Sequence, residues 1–453
     1  MRLSLPLANK GTKMEILNPF VSVLRRNENV ALFHHLTLQT VYLSKTEFEE
    51  MIAGTLPLEE TRALISKNFL VSNTFDENKY FEQFKKSVET NPTIRVAYLL
   101  LTNQCNFRCK YCFIETRTHL QQTKTMSKET AQKAIDLIGR NTQKVRIIFY
   151  GGEPLLCRDV LKFAVEYAEK RIPNASFGMV CNGSLVTDEI AQFLKAHHFG
   201  VGISLDGPKT INDKMRILSN GSGTFALIKK GIKTLQKNKV NTGLSVTLGP
   251  HNVNSIEKTV EEIKEANVNA MGFNLLSPNE GVSCEAKKIY NAAIRGEEML
   301  RQAEIREDRV FNRKIEPYLE EKPRWRDCAG YGNQIVITPE GNAGVCHGLW
   351  PDLQNSPEKK EYFPIDVDYQ QEVTQHPLWQ EWFSRMPLNM ETCRHCPAIG
   401  LCAGGCAKNA LLQKGSIWET DELNCAFAKA CVEKLVWDYF DGKLPTSTGV
   451  DAQ

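Results

Sequence analysis

The stretch LTNQCNFRCKYCF, residues 101–113, continues from an apolar segment, RVAYLLLT, that is typical of a buried β-strand. It places Cys105, Cys109 and Cys112 in the spacing Cys-x3-Cys-x2-Cys. Three thiolates from one loop can hold three irons of a [4Fe–4S] cluster and leave the fourth iron open. A zinc site is the alternative for clustered cysteines. The position of the loop at the end of a strand favours the cluster, because reactions in βα barrels occur at the C-terminal ends of the strands.

Downstream of this loop, predicted strands alternate with predicted amphipathic helices. The strands are RVAYLLLT, KVRIIFYGG, FGMVCNG, GVGISLDG, TGLSVTLG and MGFNLLSP, and the helices include SKETAQKAIDLIG, TDEIAQFLKAHH, TFALIKKGIKTLQK and NSIEKTVEEIKEA. The helices begin at Ser, Thr or Asn residues, which are preferred helix N-caps. Six strand–helix units predict an α/β fold, with a parallel sheet that curves into a partial (β/α)6 barrel.

Composition limits the classes of function. The chain has 453 residues, of which 42% are apolar and 24% charged, and its net charge is +3. This small charge gives no indication of nucleic-acid or membrane binding, and no apolar run reaches the roughly 18 residues of a membrane span. The N-terminal MRLSLPLANKGTK has too short an apolar stretch for a secretory signal. We therefore expect a cytoplasmic protein whose 14 cysteines ligate metal rather than form disulfides.

Residues 14–75 show a different pattern of short segments. VALFHHLTLQTVYLS alternates like a pair of strands, TEFEEMIAG and LEETRALISKN have helical patterns, and FLVSN is typical of a strand. The polar stretch DENKYFEQFKKSVETNP follows and predicts a linker with a boundary near residue 92. After about residue 325 the alternation gives way to short hairpins and cysteine-rich loops. The sequence thus predicts three domains, at 1–92, 93–310 and 311–453.

Polar and glycine-rich motifs follow the other predicted barrel strands. They are Gly151, Gly152, Glu153 and Pro154 after the second strand, Asn182 after the third, Ser204 and Asp206 after the fourth, Arg216 in INDKMRI, and Tyr111 before the last cysteine of the loop. Two glycines permit close backbone approach, and a carboxylate suits an ammonium group. Alone, such residues can equally form a tight turn or a solvated helix charge. Together with the cysteine loop, they resemble the motifs of the radical S-adenosylmethionine (SAM) superfamily.

The resemblance assigns each motif a role. The open iron would chelate the amino and carboxylate groups of SAM, and its reductive cleavage would release a 5′-deoxyadenosyl radical. The resemblance further implies that the glycine loop with Glu153 holds the SAM amino group and that Arg216 pairs with the carboxylate. The segment around Asp206 would bind the ribose hydroxyls, and Tyr111 would lie near the adenine.

A second set of cysteines occupies the C-terminal part of the chain. Its members are Cys328, Cys346, Cys393, Cys396, Cys402, Cys406 and Cys425. Their order and spacing resemble the SPASM extension of radical SAM enzymes, which binds two auxiliary [4Fe–4S] clusters, so three clusters are implied in all. Following the connectivity of that family, the outer cluster would be held by Cys393, Cys396, Cys402 and Cys425, and the inner one by Cys328, Cys346 and Cys406.

The inner cluster lacks an obvious fourth ligand, because the stretch EPYLEEKPRWRD before Cys328 contains no cysteine. We expect an open iron there, since a soft iron suits a substrate thiolate. The alternatives are four residues at unusual spacing, namely Cys284, Cys431, Asp327 and His347. Cys157 and Cys181 fit no pattern and are expected to be buried core residues.

The N-terminal pattern of strand, helix, helix and wing resembles the winged-helix-like PqqD-type recognition element of peptide maturases. Such elements bind a leader peptide as an added edge strand; the alternative is a domain that only packs or dimerises. The whole chain thus resembles a SPASM maturase of ribosomally made peptides. The resemblance implies hydrogen abstraction from a precursor peptide, a thioether or carbon–carbon crosslink as product, and a small electron donor such as flavodoxin or ferredoxin.

Two other functions compete with this hypothesis. An anaerobic sulfatase maturase, which makes formylglycine, shares the barrel and clusters, but it usually starts close to the first triad and carries an Asp where this chain has His347. A zinc-rich peptide-binding adaptor without chemistry is the second alternative, and iron and sulfide content would separate it. The sequence identifies no catalytic base. His347, Glu115 and Tyr331 lie near cluster ligands and are expected to be structural.

Overall fold

A computed structural model of the chain describes residues 15–114, 122–268, 270–276, 282–350, 362–365 and 372–445. Its strands are β1 (Glu15–Leu17), β2 (Val21–Arg26), β3 (Asn29–His34), β4 (Thr40–Ser44), β5 (Leu70–Ser72), β6 (Val96–Leu100), β7 (Lys144–Tyr150), β8 (Asn174–Cys181), β9 (Gly200–Ser204), β10 (Asn241–Leu248), β11 (Ala270–Leu275), β12 (Arg306–Glu307), β13 (Gln334–Ile337), β14 (Asn342–Gly344) and β15 (Tyr362–Pro364). Its α-helices are α1 (Lys45–Ala53), α2 (Leu58–Ser66), α3 (Glu77–Ser87), α4 (Lys128–Asn141), α5 (Arg158–Arg171), α6 (Asp188–Ala196), α7 (Lys209–Met215), α8 (Phe225–Lys237), α9 (Ile256–Glu265), α10 (Ala286–Gln302), α11 (Glu316–Leu319), α12 (Pro377–Ser384), α13 (Ile399–Cys402), α14 (Ala407–Lys414) and α15 (Glu422–Phe440). A π-helical segment spans Asp308–Ile315.

Ten strands form the central sheet, in the order β12-β11-β10-β9-β8-β7-β6-β13-β14-β15. The six strands from β6 to β11 run parallel, as the sequence predicts. Parallel neighbours need crossover connections, and helices such as α4, α5 and α6 provide them. Helix residues such as Ile135, Val165 and Val260 are fully buried in the same core as the strands. The C-terminal ends of the strands therefore meet at one edge of the sheet.

The helices begin in two ways. Ser127 caps α4 by accepting a hydrogen bond from the amide of Thr130 (3.0 Å), and Thr187 caps α6 in the same way (3.3 Å). These caps confirm two of the predicted helix starts, whereas α8 and α9 begin without a side-chain cap. Among the described residues, no helix combines the length and apolar content that crossing a bilayer requires.

The N-terminal module, residues 15–88, contains an antiparallel sheet in the order β2-β3-β4, a β1–β5 pair and three helices. Strands β3 to β5 and helices α1 and α2 lie where the sequence predicts them. Helix α3 occupies the stretch interpreted as a linker. Many of its polar residues face solvent, whereas Phe81 is buried and stacks on Phe20 with ring centroids 5.5 Å apart. Tyr80 and Phe84 pack in the same apolar cluster, but the charged residues around them obscure the helical periodicity in the sequence.

The C-terminal region continues the barrel sheet. Strand β13 lies parallel to β6, with Gln334 opposite Val96 and Ile337 opposite Leu99. Strands β14 and β15 then add antiparallel neighbours. One apolar core extends from the barrel to Leu444, so both the sheet and the core cross the predicted boundary between residues 310 and 311.

The N-terminal module packs directly on the segment that contains Cys393 and Cys396. The ring of His395 stacks on Phe20 with centroids 5.5 Å apart, and its Nε2 lies 3.1 Å from a Glu77 carboxylate oxygen. Phe20 is thus buried between α3 and this cysteine segment.

We expect Phe20→Ala to loosen both partners of this contact. Removing a buried phenylalanine costs about 3–5 kcal/mol, so amides of α3 and of residues 393–396 should exchange hydrogen faster. Native-state hydrogen exchange measures this, with Leu58→Ala as control, because Leu58 is 64% exposed. Equal protection of these segments in the two variants would contradict the packing described.

Candidate active site

The loop that carries the first three cysteines is held by the segment after α7. The amides of Arg108 and Lys110 donate to the carbonyls of Ile217 (2.6 Å) and Met215 (2.9 Å). Phe107, fully buried, pairs with Leu218 in an isolated bridge. The loop is therefore fixed by backbone contacts on both sides of Cys109.

Cys105, Cys109 and Cys112 gather at the C-terminal end of β6. Burial raises the pKa of Cys109 to about 12, with the neighbouring Cys112 adding to the effect and Arg216 opposing it. The pKa of Cys105 is also raised, by burial first, and both other cysteines act on it. No three His, Cys, Asp or Glu side chains in the described ranges are placed to hold a single metal ion. A cluster takes one thiolate per iron, so three neighbouring thiols fit it.

Two glycines hold the turn after β7 against this cysteine loop. The amide of Gly152 donates to the Thr102 carbonyl (2.7 Å), and that of Glu153 donates to the Gln104 carbonyl (2.8 Å). A Cβ on Gly152 would lie 2.0 Å from the Gln104 oxygen, and one on Gly151, whose φ is +131°, would lie 2.5 Å from the Thr102 oxygen. The close approach that requires glycine is therefore to the cysteine loop, and a contact with SAM stays a prediction.

Glu153 links this turn to the end of β8. Its fully buried carboxylate accepts hydrogen bonds from the amides of Leu155 (3.0 Å) and Asn182 (2.8 Å). Burial raises the pKa of Glu153 to about 7, although both amides act in the opposite direction. Pro154 begins the short 3-10 turn that follows, Pro154–Cys157. The predicted role of Glu153 at the SAM amino group is untested, and its positioning role is seen directly.

Asn182 connects β8 back to the cysteine loop. Its side-chain amide donates to Asn106 Oδ1 (2.8 Å) and lies 3.9 Å from the sulfur of Cys105. Its own Oδ1 accepts from the amide and the hydroxyl of Ser184. The ends of β6, β7 and β8 are thereby joined in one hydrogen-bonded network.

Asp206 is the centre of a buried polar cluster after β9. Its carboxylate accepts from Arg216 Nη2 (3.0 Å), from the amide of Thr247 (3.0 Å) and from the Tyr111 hydroxyl, and it lies 3.2 Å from His251 Nε2. Burial alone would raise the pKa of Asp206, but Arg216 and His251 hold it below its usual range. The Tyr111 ring stacks on His251 with centroids 5.7 Å apart.

His251 belongs to no motif of the sequence, although it follows the end of β10, where a barrel site is expected. The predicted ribose and adenine contacts of Asp206 and Tyr111 remain predictions. Ser204, at the end of β9, is half-buried.

Arg216 retains a free donor in this cluster. Its Nε is buried and has no hydrogen-bond partner among the described residues, while Nη2 binds Asp206. An unpaired guanidinium N–H in a buried site suits a carboxylate ligand. The three thiols and this donor together fit a cluster with SAM bound to it.

The seven C-terminal cysteines lie in two groups. Burial raises the pKa of Cys406, and the nearby thiols of Cys346 and Cys328 add to this effect. These three cysteines form the inner group. The outer group consists of Cys393, Cys396, Cys402 and Cys425, which act on one another in the same way. Burial raises the pKa of Cys328 to about 11, although the residue keeps an exposed surface.

The candidates for a fourth inner ligand differ in their surroundings. Asp327 lies 3.5 Å from both Arg309 and Arg313. Burial raises the pKa of Cys284 and of Cys431. The neighbours that also shift these pKa values include Lys288 and Lys314 but none of the inner cysteines. His347 stacks on Tyr98 of β6 with centroids 4.5 Å apart, and its buried Nδ1 has no hydrogen-bond partner in the described part of the chain. Its pKa is lowered to about 4 by burial and then by Lys408.

Cys157, Cys181, Tyr331 and Glu115 are the other residues that the sequence brought forward. Cys157 and Cys181 are buried in the main core, as expected. The Tyr331 hydroxyl donates to the Gly405 carbonyl (2.5 Å). Glu115 lies outside the described residues.

Comparison with known proteins agrees with this arrangement. Residues 99–263 match the family model of the radical SAM superfamily, a range that contains the cysteine loop, the glycine turn, Asp206 and Arg216. Residues 99–263 are thus similar to a radical SAM domain. Such a domain implies a [4Fe–4S] cluster, SAM and a radical-based reaction.

Similar proteins extend beyond this domain. The radical SAM cyclopropyl synthase TigE of Paramaledivibacter caminithermalis is 22% identical over 94% of this chain and 90% of its own length. A cysteine-type anaerobic sulfatase-maturating enzyme of Clostridium novyi is 29% identical over 38% of this chain and 48% of its own. The fold resembles that of SuiB of Streptococcus suis bound to its precursor peptide SuiA, with a TM-score of 0.54, 14% identity and coverage of 90% and 99%. The structure of anSMEcpe with bound AdoMet gives a TM-score of 0.64 at 19% identity, over 77% and 99% of the two chains.

We expect Gly152→Ala to disrupt the radical SAM site. The new Cβ cannot fit 2.0 Å from the Gln104 oxygen, so the cysteine loop or the turn must move. Release of 5′-deoxyadenosine from SAM should fall by about 10-fold or more, because displacements of about 1 Å have effects of this size. Gly202→Ala is the matched control, since its Cβ would meet Val180 at 3.6 Å and the Met179 carbonyl oxygen at 3.8 Å, both ordinary contact distances. Similar 5′-deoxyadenosine yields from both variants would refute the close approach.

Proposed function

We propose that this radical SAM enzyme modifies a ribosomally made precursor peptide and carries two auxiliary [4Fe–4S] clusters in a SPASM domain. The observation that carries the proposal is the separation of ten cysteines into three groups, one in the radical SAM loop and two in the C-terminal region. The sequence relation to TigE and the fold shared with SuiB support a peptide substrate.

The radical SAM loop would hold the first cluster through Cys105, Cys109 and Cys112. When bound there, SAM supplies a 5′-deoxyadenosyl radical that can take a hydrogen atom from an unactivated carbon. Arg216 would orient the SAM carboxylate through its free Nε–H, and Asp206 would hold this guanidinium in place. Tyr111 and His251 are buried beside this ion pair and stack on each other, which limits access of water.

The inner cysteine group lies beside the barrel strands. Cys328 and Cys346 act electrostatically on Tyr98 of β6, and His347 also contacts Tyr150 of β7. Cys393 and Cys396 of the outer group pack in the apolar cluster that includes Phe20 of the N-terminal module. These different surroundings support an inner and an outer cluster, and we expect an open iron in the inner one.

The N-terminal module would bind the leader of the peptide. In the described residues, strands β2 and β4 each pair only with β3, so both have an edge where a strand can add. The core peptide would then enter the barrel, where a carbon radical would close a thioether or a carbon–carbon bond as one proton leaves and one electron passes to the inner cluster. We expect the enzyme to work in the cytoplasm with a flavodoxin or ferredoxin as electron donor.

Replacing Cys105, Cys109 and Cys112 together by alanine tests the assignment of the clusters. We expect the triple variant to lose all release of 5′-deoxyadenosine and to keep about eight of about twelve iron atoms per chain. Iron and sulfide analysis of anaerobically reconstituted protein measures this. Retained 5′-deoxyadenosine release would refute the radical SAM site, and loss of all iron would refute the auxiliary clusters.

Incubation with SAM, dithionite and the short peptide encoded beside the gene tests the reaction. Each crosslink should lower the peptide mass by two hydrogens, because one hydrogen atom is abstracted and another is lost as the bond closes. The triple cysteine variant is the control. A peptide of unchanged mass would contradict the proposal.

The sulfatase-maturase hypothesis is the second candidate, supported by the sequence relation to the C. novyi enzyme. It predicts conversion of one Cys or Ser to formylglycine in a sulfatase-derived peptide. Incubation of the same protein with both peptides separates the two functions, since only one of them should change.

A further inference from the structure

Arg385, directly after α12, is a fully buried arginine that donates to neutral groups. Its Nη1 donates to the Gly404 carbonyl (2.8 Å) and to the Tyr331 hydroxyl (2.5 Å). Its Nη2 donates to the Glu419 carbonyl (2.9 Å), and its Nε donates to the Ile417 carbonyl. Four of the five guanidinium N–H groups are thus paired.

No carboxylate in the described residues forms an ion pair with this guanidinium. Arg309 and Arg313 of the C-terminal region are less buried, and both lie 3.5 Å from Asp327. Burying an ion without a counter-charge is costly in free energy. The partial charges of carbonyls offset only part of this cost, so the site calls for a negative group that the protein alone does not supply.

Arg385 lies between the two auxiliary cysteine groups. Gly404 belongs to the loop between Cys402 of the outer group and Cys406 of the inner group. On one side, the charge of Arg385 acts on Cys393 of the outer group. On the other side, Arg385 donates a hydrogen bond to the Tyr331 hydroxyl. Burial raises the pKa of Tyr331, and the thiols of Cys328 and Cys406 in the inner group add to this effect.

The loop between these groups has an unusual backbone. Ala403, Gly404 and Gly405 all have positive φ angles, of 56°, 83° and 65°. Arg385 binds the Gly404 carbonyl, and Tyr331 binds that of Gly405. The pair therefore stabilises a strained turn that sets the distance between an outer and an inner ligand.

We propose that Arg385 is a positioning residue shared by the two auxiliary clusters, which fixes the 402–406 loop and supplies the positive charge that balances the clusters. This inference rests on the auxiliary clusters of the proposed function. Clusters bound by thiolates are anionic and become more so on reduction, so a nearby cation favours the reduced form and raises the potential.

The test uses the full chain with Cys105, Cys109 and Cys112 replaced by alanine, so that only auxiliary clusters are observed. Stepwise reduction by dithionite, followed by electron paramagnetic resonance, gives their midpoint potentials. In Arg385→Met, we expect at least one potential to become more negative. Arg171→Met is the control, because Arg171 pairs with Asp136 in the barrel helices, and it should leave both potentials unchanged.

Arg385→Lys separates charge from geometry. Lysine keeps the charge but cannot donate to four groups at once, so the potentials should stay near those of the parent while amides of residues 402–406 exchange faster.

Unchanged potentials in Arg385→Met would overturn the inference. If Arg385→Met loses its clusters and Arg385→Lys keeps them, the need for a charge is supported; if both lose them, the arginine is only structural and the inference fails. Absence of iron from the parent would instead refute the auxiliary clusters themselves.

Discussion

The contact between two loops at the end of the barrel underlies the organisation of the candidate site. Gly152 lies so close to Gln104 that no side chain fits between them, and backbone hydrogen bonds join the two segments. Glu153 and Asn182 carry this connection to the next strand. Three strand ends thus act as one rigid unit, and the cysteines inherit their positions from it. Rigid placement matters because a cluster needs its three thiols, which all come from one loop, to be held close together.

Buried charge is handled in two ways in this chain. Around Asp206 the protein supplies both signs, since Arg216 pairs with the carboxylate and His251 lies within hydrogen-bonding distance of it. Around Arg385 it supplies only neutral oxygen atoms. The negative charge of Asp206 is balanced by groups of the protein, and the Nε–H of Arg216 stays unpaired among the described residues. The positive charge of Arg385 is balanced only with an anionic group nearby.

The local pattern of the sequence predicts the barrel well, because each strand is a continuous apolar run and each helix has one apolar face. It does not reveal α3, whose apolar residues are interspersed with many charged ones, or the pairing of β13 with β6, which joins residues more than 200 positions apart. The motifs of the candidate site occur in the sequence at the strand ends that the structure brings together. Their physical roles are less predictable, since the glycines serve contact between loops and Glu153 binds backbone amides. His251 and Arg385 carry no motif, and only tertiary packing brings them to the clusters of polar groups they complete.

The packing of the N-terminal module has a consequence for engineering. Phe20 and Glu77 contact His395, which stands between two cysteines of the outer group. A chimera that exchanged the first 88 residues for those of a related protein would place foreign side chains against this segment. Exchange of the N-terminal module therefore requires the 393–396 surface to be transplanted together with it.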